Sequence, residues 1–224
     1  MPEVVRAAVA IMAKTPRAGE VKTRLCPPLS TEEAAELYRR FLLDKIEQVG
    51  MLRGAHPAIA YTPVEGRAVF EELAPGFALV PQQGVDLGAR LANSFDRLFA
   101  EGYAAVLLID SDTPTLPTGF LQRALDLIAT PRVDVVLGPS EDGGYYLIGL
   151  RSPHRELFEE IAWSTARVLP ETVRRVEAKG LEAAYLPPWF DVDTPADLER
   201  LRASLERQGG GPRHTRRFFM ERGG

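Results

Sequence analysis

Two nearly continuous apolar runs mark the predicted centre of the fold. Residues 4–13 and 105–110 lack the alternation of a half-exposed strand, as is typical of strands buried on both faces of a parallel sheet. Shorter apolar runs predict further strands at 55–61, 77–81, 133–138, 147–150 and 181–186. Apolar residues at helical spacing fill most of the intervals. Strands that alternate with helices predict a three-layer α/β/α fold with a mainly parallel sheet.

Helix boundaries are also visible in the sequence. Ser30 and Glu33 have the spacing of a capping box, so a helix is predicted from there to about Gly50. Thr194 followed by Pro195 predicts the start of a helix that ends near Glu206. We therefore expect one domain over residues 1–207. Residues 208–224 have a glycine run and no apolar face, so they are predicted to form a flexible tail.

Composition limits the possible functions. The 224-residue chain has a net charge of −4, which provides no basic surface for nucleic acid. Its one cysteine, Cys26, excludes an internal disulfide and a cysteine-based metal cluster. The first residues lack a signal-peptide pattern, and no apolar run has the length of a membrane span. We expect a cytoplasmic protein that binds neither nucleic acid nor membrane.

An acidic loop, residues 110–117, follows the apolar run that begins at Ala105. Asp110 and Asp112 come where the strand should end, and Pro114 and Pro117 prevent the strand or a helix from continuing. Open α/β sheets bind ligands at this edge, and carboxylate oxygens suit Mg²⁺ or Mn²⁺. The stretch alone is equally compatible with a turn in which both acids act as local caps.

A basic loop, residues 14–25, follows the first predicted strand. Lys14, Arg17, Lys22 and Arg24 could bind phosphates, with lysine as a point charge and arginine as a planar fork. The spacing matches neither a P-loop nor the GxGxxG fingerprint. Without the acidic loop, a solvated surface loop would be the preferred interpretation. With it, Lys14, Lys22 and Arg24 are predicted to converge on the sheet edge that carries Asp112.

A second pair of carboxylates precedes the last predicted helix. Asp191 and Asp193 are two residues apart in an extended segment, so their side chains should face the same way. We predict that they meet Asp112 around one divalent cation, because three like charges gathered without a cation would repel one another. The alternative is a pair of carboxylates facing solvent.

A glycine-rich turn and two tyrosines follow the strand at 133–138. Asp142, Gly143 and Gly144 are ordinary turn residues between two strands, but paired glycines also allow a ligand close to the backbone. Tyr145 and Tyr146 offer flat surfaces and hydroxyls to a sugar or base.

Seven ordered motifs resemble one bacterial family, the DUF2064 group of glycosyltransferase-A-like proteins, which is often labelled a transferase associated with radical-SAM and selenium-domain proteins. The resemblance covers residues 1 to about 205 and implies a nucleotide-diphospho-sugar transferase fold of the GT-A, Rossmann-like type. At the position two before Asp112 the family typically has glycine, whereas this chain has Asp110. Asp112 is therefore the expected ligand. The motifs are Met12-Ala13-Lys14-Thr15-Pro16, Gly19-Glu20-Val21-Lys22-Thr23-Arg24-Leu25, Asp86-Leu87-Gly88-Ala89-Arg90-Leu91, Ser111-Asp112-Thr113-Pro114, Gly138-Pro139 with Asp142-Gly143-Gly144-Tyr145-Tyr146-Leu147-Ile148-Gly149, Trp163-Ser164-Thr165 and Asp191-Val192-Asp193-Thr194.

The resemblance gives an expected set of site residues. The expected catalytic residues are Lys22, Arg24 and Asp112. A nucleotide is expected at Ala13, Lys14, Lys22, Arg24, Gly84, Asp86, Gly88 and Ser111. The substrate is expected at Asp142, Gly143, Gly144, Tyr145, Tyr146, Trp163, Ser164 and Thr165. Mg²⁺ or Mn²⁺ is expected on Asp112, Asp191 and Asp193.

Three functions fit these residues. The first is glycosyl transfer from a nucleotide-sugar to a small-molecule acceptor, with the metal stabilising the diphosphate leaving group. The second is transfer of a nucleotidyl group from a nucleoside triphosphate to a phosphorylated acceptor, because the segment 21–25 is similar to the basic loop of phospholactate guanylyltransferases. The third is a nucleotide-binding regulator without turnover. The fold alone does not distinguish them.

Overall fold

A seven-stranded sheet runs through the part of the chain that the computed structural model describes, residues 6–207 and 211–222. Its strands are β1 (Ala7–Lys14), β2 (Ala55–Thr62), β3 (Ala78–Pro81), β4 (Ala105–Ile109), β5 (Val135–Pro139), β6 (Tyr145–Leu150) and β7 (Ala183–Tyr185). The helices are α1 (Thr31–Gly50), α2 (Arg67–Leu73), α3 (Leu87–Ala100), α4 (Thr118–Ile128), α5 (Val168–Ala178), α6 (Pro195–Arg207) and α7 (Arg213–Arg222).

The strand order is β3-β2-β1-β4-β6-β5-β7, and β6 runs antiparallel to both of its neighbours. The other pairings are parallel, which confirms the predicted mainly parallel sheet. The two apolar strands β1 and β4 pair with each other in the middle of the sheet, as predicted. Residues 4 and 5 of the first predicted strand lie outside the described residues. Successive connections leave β1 and β4 towards opposite sides, so their carboxyl ends form a topological switch point.

Two apolar layers cover the faces of the sheet. Val9 and Ile11 of β1 face the layer formed by α1, α2, α4, α6 and α7, whereas Ala8 and Ala10 face α3 and α5. Burial on both faces explains why β1 lacks polar alternation. The predicted three-layer fold is therefore confirmed. None of the helices in the described ranges is both long and apolar enough to cross a membrane.

Two predicted helix starts are present, and one predicted helix is not. In α1, Ser30 Oγ accepts the Glu33 amide at 3.1 Å, and Glu33 Oε2 accepts the Ser30 amide at 2.8 Å. In α6, Asp197 Oδ2 accepts the Thr194 amide at 2.8 Å. The sequence also predicts a helix over residues 154–161, between β6 and α5, but the structure has only a 3-10 turn there, Arg155–Phe158. Glu160 has a φ of +50°, which a continuing right-handed helix does not allow.

The prediction of a flexible tail is corrected for residues 211–222. Residues 213–222 form α7, which packs against α1 and leaves the Phe218 side chain only 7% exposed. The buried Asp44 of α1 fixes the start of α7. Its Oδ1 accepts the His214 amide at 2.9 Å, and its Oδ2 accepts the amide and hydroxyl of Thr215 at 2.8 and 2.6 Å. Residues 208–210 lie outside the described residues.

Replacing Asp44 with alanine should lower the free energy of unfolding by about 2 kcal/mol, because it removes a charged helix cap and leaves amide donors of α7 without their acceptor. The loss should be measured by urea denaturation. Asp126→Ala on α4 is the control, since Asp126 interacts locally with Gln122 at an exposed position, and it should change stability by less than about 0.5 kcal/mol.

A chain that ends at Arg207 tests the same contact. Deleting the residues after Arg207 should lower the melting temperature. In the shortened chain, Asp44→Ala should lower the free energy of unfolding much less than it does in the full chain. If Asp44→Ala lowers the free energy of unfolding equally in the full and the shortened chain, Asp44 does not act through α7.

Candidate functional site

A cavity of about 420 Å³ lies at the carboxyl ends of β1 and β4. We call it the cleft. Its walls include Met12 to Lys14 at the end of β1 and Leu108 to Asp112 at and just after the end of β4, and Tyr145 and Tyr146 of β6 line one side. The position is the topological switch point, where open α/β sheets bind ligands.

Lys22 of the basic loop joins the cleft's charged groups. Its buried Nζ lies 2.6 Å from Asp112 Oδ1 and 2.8 Å from Asp193 Oδ1, and it donates to the Val192 carbonyl at 2.8 Å. Burial alone would lower the pKa of Lys22, but the two carboxylates outweigh burial and raise it. The ammonium is therefore charged, and the predicted convergence of the basic and acidic loops is present.

Arg24 completes the basic side of the site. Its Nη2 lies 2.8 Å from Asp193 Oδ2, and its side chain remains 71% exposed. Both oxygens of Asp193 thus contact cations. Burial would raise the pKa of Asp193, but Lys22 and Arg24 lower it. Asp193 consequently anchors the basic loop.

The remaining carboxylates repel one another. Burial raises the pKa of Asp110 to about 7; Lys45 opposes this rise, whereas the charges of Asp112 and Asp191 add to it. Burial also raises the pKa of Asp191 to about 6, with further contributions from Asp142 and Asp193. The negative charge on this side of the site is therefore only partly balanced by the protein.

The structure places Asp112 next to the 191–193 segment, while the predicted meeting of three carboxylates around one cation stays a prediction. The Val192 amide donates to the Asp112 carbonyl at 3.0 Å, and Lys22 lies between the carboxylates of Asp112 and Asp193. These hard oxygen donors suit Mg²⁺ or Mn²⁺. Burial is the main cause of the raised pKa of Asp191, and the charges of Asp142 and Asp193, which a cation would offset, add to it. The donor types therefore suit such an ion, and Asp112 and Asp191 are the candidate ligands, since both oxygens of Asp193 are already paired with Lys22 and Arg24.

A tighter acidic group lies elsewhere. Among the described residues, only the ligand atoms of Asp44, Glu47 and His214 lie within 4.8 Å of one another, and no such group forms from Asp112, Asp191 and Asp193. Asp44 and Glu47 already hold the start of α7, with Glu47 Oε1 3.0 Å from His214 Nε2. This group is explained by helix docking.

Three of the predicted nucleotide-binding residues lie outside the lining of the cleft and have structural roles. Ala13, Lys14 and Ser111 line the cleft, but Gly84, Asp86 and Gly88 do not. Asp86 caps α3 by accepting the Ala89 amide at 2.8 Å. A Cβ on Gly84 would lie 2.6 Å from Ala89 Cβ, and one on Gly88 would lie 2.6 Å from Trp163 Nε1. These glycines allow close packing of the chain around α3.

Most of the predicted substrate residues also form turns beside the cleft. Tyr145 and Tyr146 line it, and the Tyr146 hydroxyl donates to the Pro187 carbonyl at 2.9 Å. Asp142 Oδ1 accepts the Gly144 amide at 2.9 Å within the turn between β5 and β6. Gly143 has a φ of +93° and packs against Ala166. None of the expected residues Asp142, Gly143, Gly144, Trp163, Ser164 and Thr165 lines the cleft.

Sequence reasoning missed several residues that line the cleft. The Tyr38 hydroxyl lies 2.9 Å from Ser111 Oγ and accepts the Lys14 amide at 3.0 Å. Gln82 Nε2 donates to the Ala60 carbonyl at 2.7 Å, and Arg90 adds a cation from α3. Arg90 lies within a quoted motif, so its charge was a usable signal. The sequence around Tyr38 gives no sign of a binding site, because Tyr38 has the helical spacing of a residue that packs in the core.

Solved structures confirm the fold. A cytidylyltransferase from Leptospira borgpetersenii has a TM-score of 0.59 and 14% identity, covering 96% of this chain and 93% of that one. A CMP:2-keto-3-deoxy-manno-octonic acid synthetase complexed with CTP has a TM-score of 0.55 and 14% identity, covering 90% and 99%. At these identities the likeness concerns the fold alone. No curated protein matches the chain significantly in sequence.

Two further comparisons concern the family. A protein from Desulfovibrio desulfuricans G20 named "putative nucleotide-diphospho-sugar transferase" is 35% identical, with a TM-score of 0.86 over 96% of this chain and 94% of that one. The model of DUF2064, described as an uncharacterized protein conserved in bacteria, matches residues 45–165. The chain therefore belongs to the DUF2064 family.

Proposed function

We propose that this protein is a metal-dependent transferase that uses a nucleotide-activated donor, and that it transfers a glycosyl group from a nucleoside-diphosphate sugar to a small-molecule acceptor. The observation that carries the proposal is the meeting of Lys22 and Arg24 with the carboxylates of Asp112 and Asp193 beside the cleft. The name of the relative that is 35% identical supports the same donor class.

The cations of the cleft suit a diphosphate. The cleft is lined by three cations of the basic loop, Lys14, Lys22 and Arg24, and by Arg90 on α3. Lysine supplies point charges and arginine supplies paired donors, so together they can bind phosphate oxygens from several directions. Lys22 and Arg24 are paired with Asp112 and Asp193 and would have to separate from them to contact phosphate. We therefore expect Lys14 and Arg90 to make the direct contacts.

The metal belongs on the acidic side of the site. Asp112 and Asp191 would hold Mg²⁺ or Mn²⁺, while Asp193 keeps Lys22 and Arg24 in place. The ion would neutralise the diphosphate and stabilise it as a leaving group. Tyr145 and Tyr146 form the adjoining wall, where the sugar and the acceptor would lie.

Nucleotidyl transfer is the second candidate, and the basic loop is the observation that favours it. Lys22 lies between the carboxylates of Asp112 and Asp193, so the basic loop reaches the acidic end of β4. Cations at that point would stabilise charge that develops on the α-phosphate of a nucleoside triphosphate. This reaction would release pyrophosphate, whereas glycosyl transfer would release a nucleoside diphosphate.

Replacing Lys22 with alanine should weaken nucleotide binding by about 1–3 kcal/mol, because a positive charge beside the phosphates is lost and the basic loop loses its anchor to Asp112 and Asp193. It should also lower stability by about 2 kcal/mol. This is less than the 3–5 kcal/mol for breaking a fully buried pair, since Asp112 and Asp193 are partly exposed. Calorimetric titration with UDP and GDP in Mg²⁺ measures the first effect, and urea denaturation the second.

Lys179→Ala is the matched control for Lys22→Ala. Lys179 is half exposed and pairs with Glu156, away from the cleft. It should leave both nucleotide affinity and stability nearly unchanged. Wild-type nucleotide affinity in Lys22→Ala would contradict a phosphate-binding role for the basic loop.

The class of transfer should be decided by products. The protein with Mg²⁺ or Mn²⁺ is incubated with nucleotide-sugars or with nucleoside triphosphates, each with a panel of sugar, alcohol and phosphorylated acceptors. We expect acceptor-dependent release of a nucleoside diphosphate. Acceptor-dependent pyrophosphate instead supports nucleotidyl transfer, and tight binding without either product supports the non-catalytic regulator.

Without metal, the raised pKa values of Asp110 and Asp191 should make the protein less stable as pH rises from about 5 to 8. Both groups bind protons more tightly in the folded state than in the unfolded chain, so stabilisation is lost as they ionise through pKa values of about 7 and 6. Added Mg²⁺ should reduce this loss. Thermal unfolding across the pH range, with and without Mg²⁺, measures both effects.

Asp191→Asn is the informative variant for this titration. It should remove part of the pH dependence, raise metal-free stability at pH 8 and abolish stabilisation by Mg²⁺. Asp112→Asn should instead lower stability, since it removes one partner of the buried Lys22. A full response of Asp191→Asn to Mg²⁺ would show that Asp191 is not a ligand.

A further inference from the structure

A buried lysine behind the acidic loop has no part in the proposed chemistry. Lys45 lies on α1 and is 1% exposed. A lysine is rarely buried unless its ammonium is fully paired, because removing the charge from water is costly. The partners of Lys45 therefore indicate why the chain keeps a charged group at this position.

Lys45 contacts the acidic loop at several points. Its Nζ donates to the Thr113 carbonyl at 3.0 Å and to Thr113 Oγ1 at 3.0 Å, and it lies 3.9 Å from Asp110 Oδ1. Thr113 Oγ1 in turn donates to Asp110 Oδ1 at 2.7 Å. The ammonium and the hydroxyl thus tie together the residues on both sides of Asp112.

We propose that Lys45 is a positioning residue that fixes the backbone of the acidic loop and thereby aims Asp112 into the cleft. That Asp112 serves a cation rests on the proposed function; the fixing of the loop does not. An apolar residue could fill the same volume, but it would leave the Thr113 hydroxyl and carbonyl without the donor they now have. The loop would then lose its attachment to α1.

A second residue of α1 acts on the same loop. Tyr38 precedes Lys45 by seven residues, or about two helical turns, so both side chains lie on the same face of α1. The Tyr38 hydroxyl contacts Ser111 Oγ at 2.9 Å, and Ser111 Oγ also donates to the Met12 carbonyl at 3.0 Å. One helix face therefore holds Ser111 and Thr113, the two neighbours of Asp112.

The position of the loop has a local reporter. The Val192 amide donates to the Asp112 carbonyl at 3.0 Å, whereas the Leu198 amide donates within α6 to the Thr194 carbonyl at 3.0 Å. If the acidic loop moves, the Val192 amide should lose protection from hydrogen exchange while the Leu198 amide keeps it. This measurement requires neither metal nor nucleotide.

The experiment compares hydrogen exchange in wild type, Lys45→Met, Thr113→Val and Thr113→Ser. Lys45→Met and Thr113→Val should each speed exchange at Val192 at least tenfold relative to Leu198. Thr113→Ser keeps the hydroxyl and should behave like wild type. Val49→Ala, a buried apolar truncation on α1, is the control for general destabilisation and should leave the ratio unchanged. If Lys45→Met does not fold, Thr113→Val decides.

Unchanged exchange ratios in the variants that fold would overturn the proposal, as would an equal effect of Val49→Ala. A second measurement is Mn²⁺ affinity by calorimetry, which should fall at least fivefold in Lys45→Met. In an Asp112→Asn background Lys45→Met should have no further effect, and an additive effect would show that Lys45 does not act through Asp112. Failure of wild type to bind Mn²⁺ would instead count against the proposed function and leave the exchange result to decide the positioning role.

Discussion

The buried ammonium of Lys22 is the interaction on which the site depends. It contacts Asp112, Asp193 and the Val192 carbonyl, and so joins the basic loop, the acidic loop and a segment about 170 residues further along the chain. The backbone of Lys22 has a φ of +49°, a left-handed conformation that costs about 1 kcal/mol or more for a residue with a side chain. The three partners hold the residue in this conformation at the point where a ligand would approach.

Much of the architecture could be predicted because the pattern of apolar and polar residues indicates which strands are buried. A strand covered on both faces needs no polar alternation, so β1 and β4 were identifiable as central before any pairing was known. The strands' carboxyl ends meet at one edge, which also made the approach of the basic loop to Asp112 predictable. The capping box of Ser30 and Glu33 was also predictable, because both residues lie within one helical turn of each other.

The features that could not be predicted from the sequence depend on interactions between segments far apart in the chain. The start of α7 is capped by Asp44 on α1, so its own arginine-rich sequence contains no sign of the cap. Gly88 has the composition of a ligand-binding loop, yet what it accommodates is Trp163. Glycine spacing shows that something approaches the backbone closely, but not whether that is a ligand or another part of the protein. Lys45 was missed because a lysine within a helix is usually solvated.

The carboxylates of the site divide into two groups with different electrostatics. Asp193 contacts two cations and has a lowered pKa, so the protein itself satisfies its charge. Burial, and then the neighbouring carboxylates, raise the pKa of Asp191, and its hydrogen bond from Ser140 does not offset them. A purely structural ion-pair network would satisfy both. The excess negative charge lies beside a cleft that is also lined by cations. A divalent ion that carries a phosphate chain would balance the carboxylates with its own charge and the cations with its phosphates.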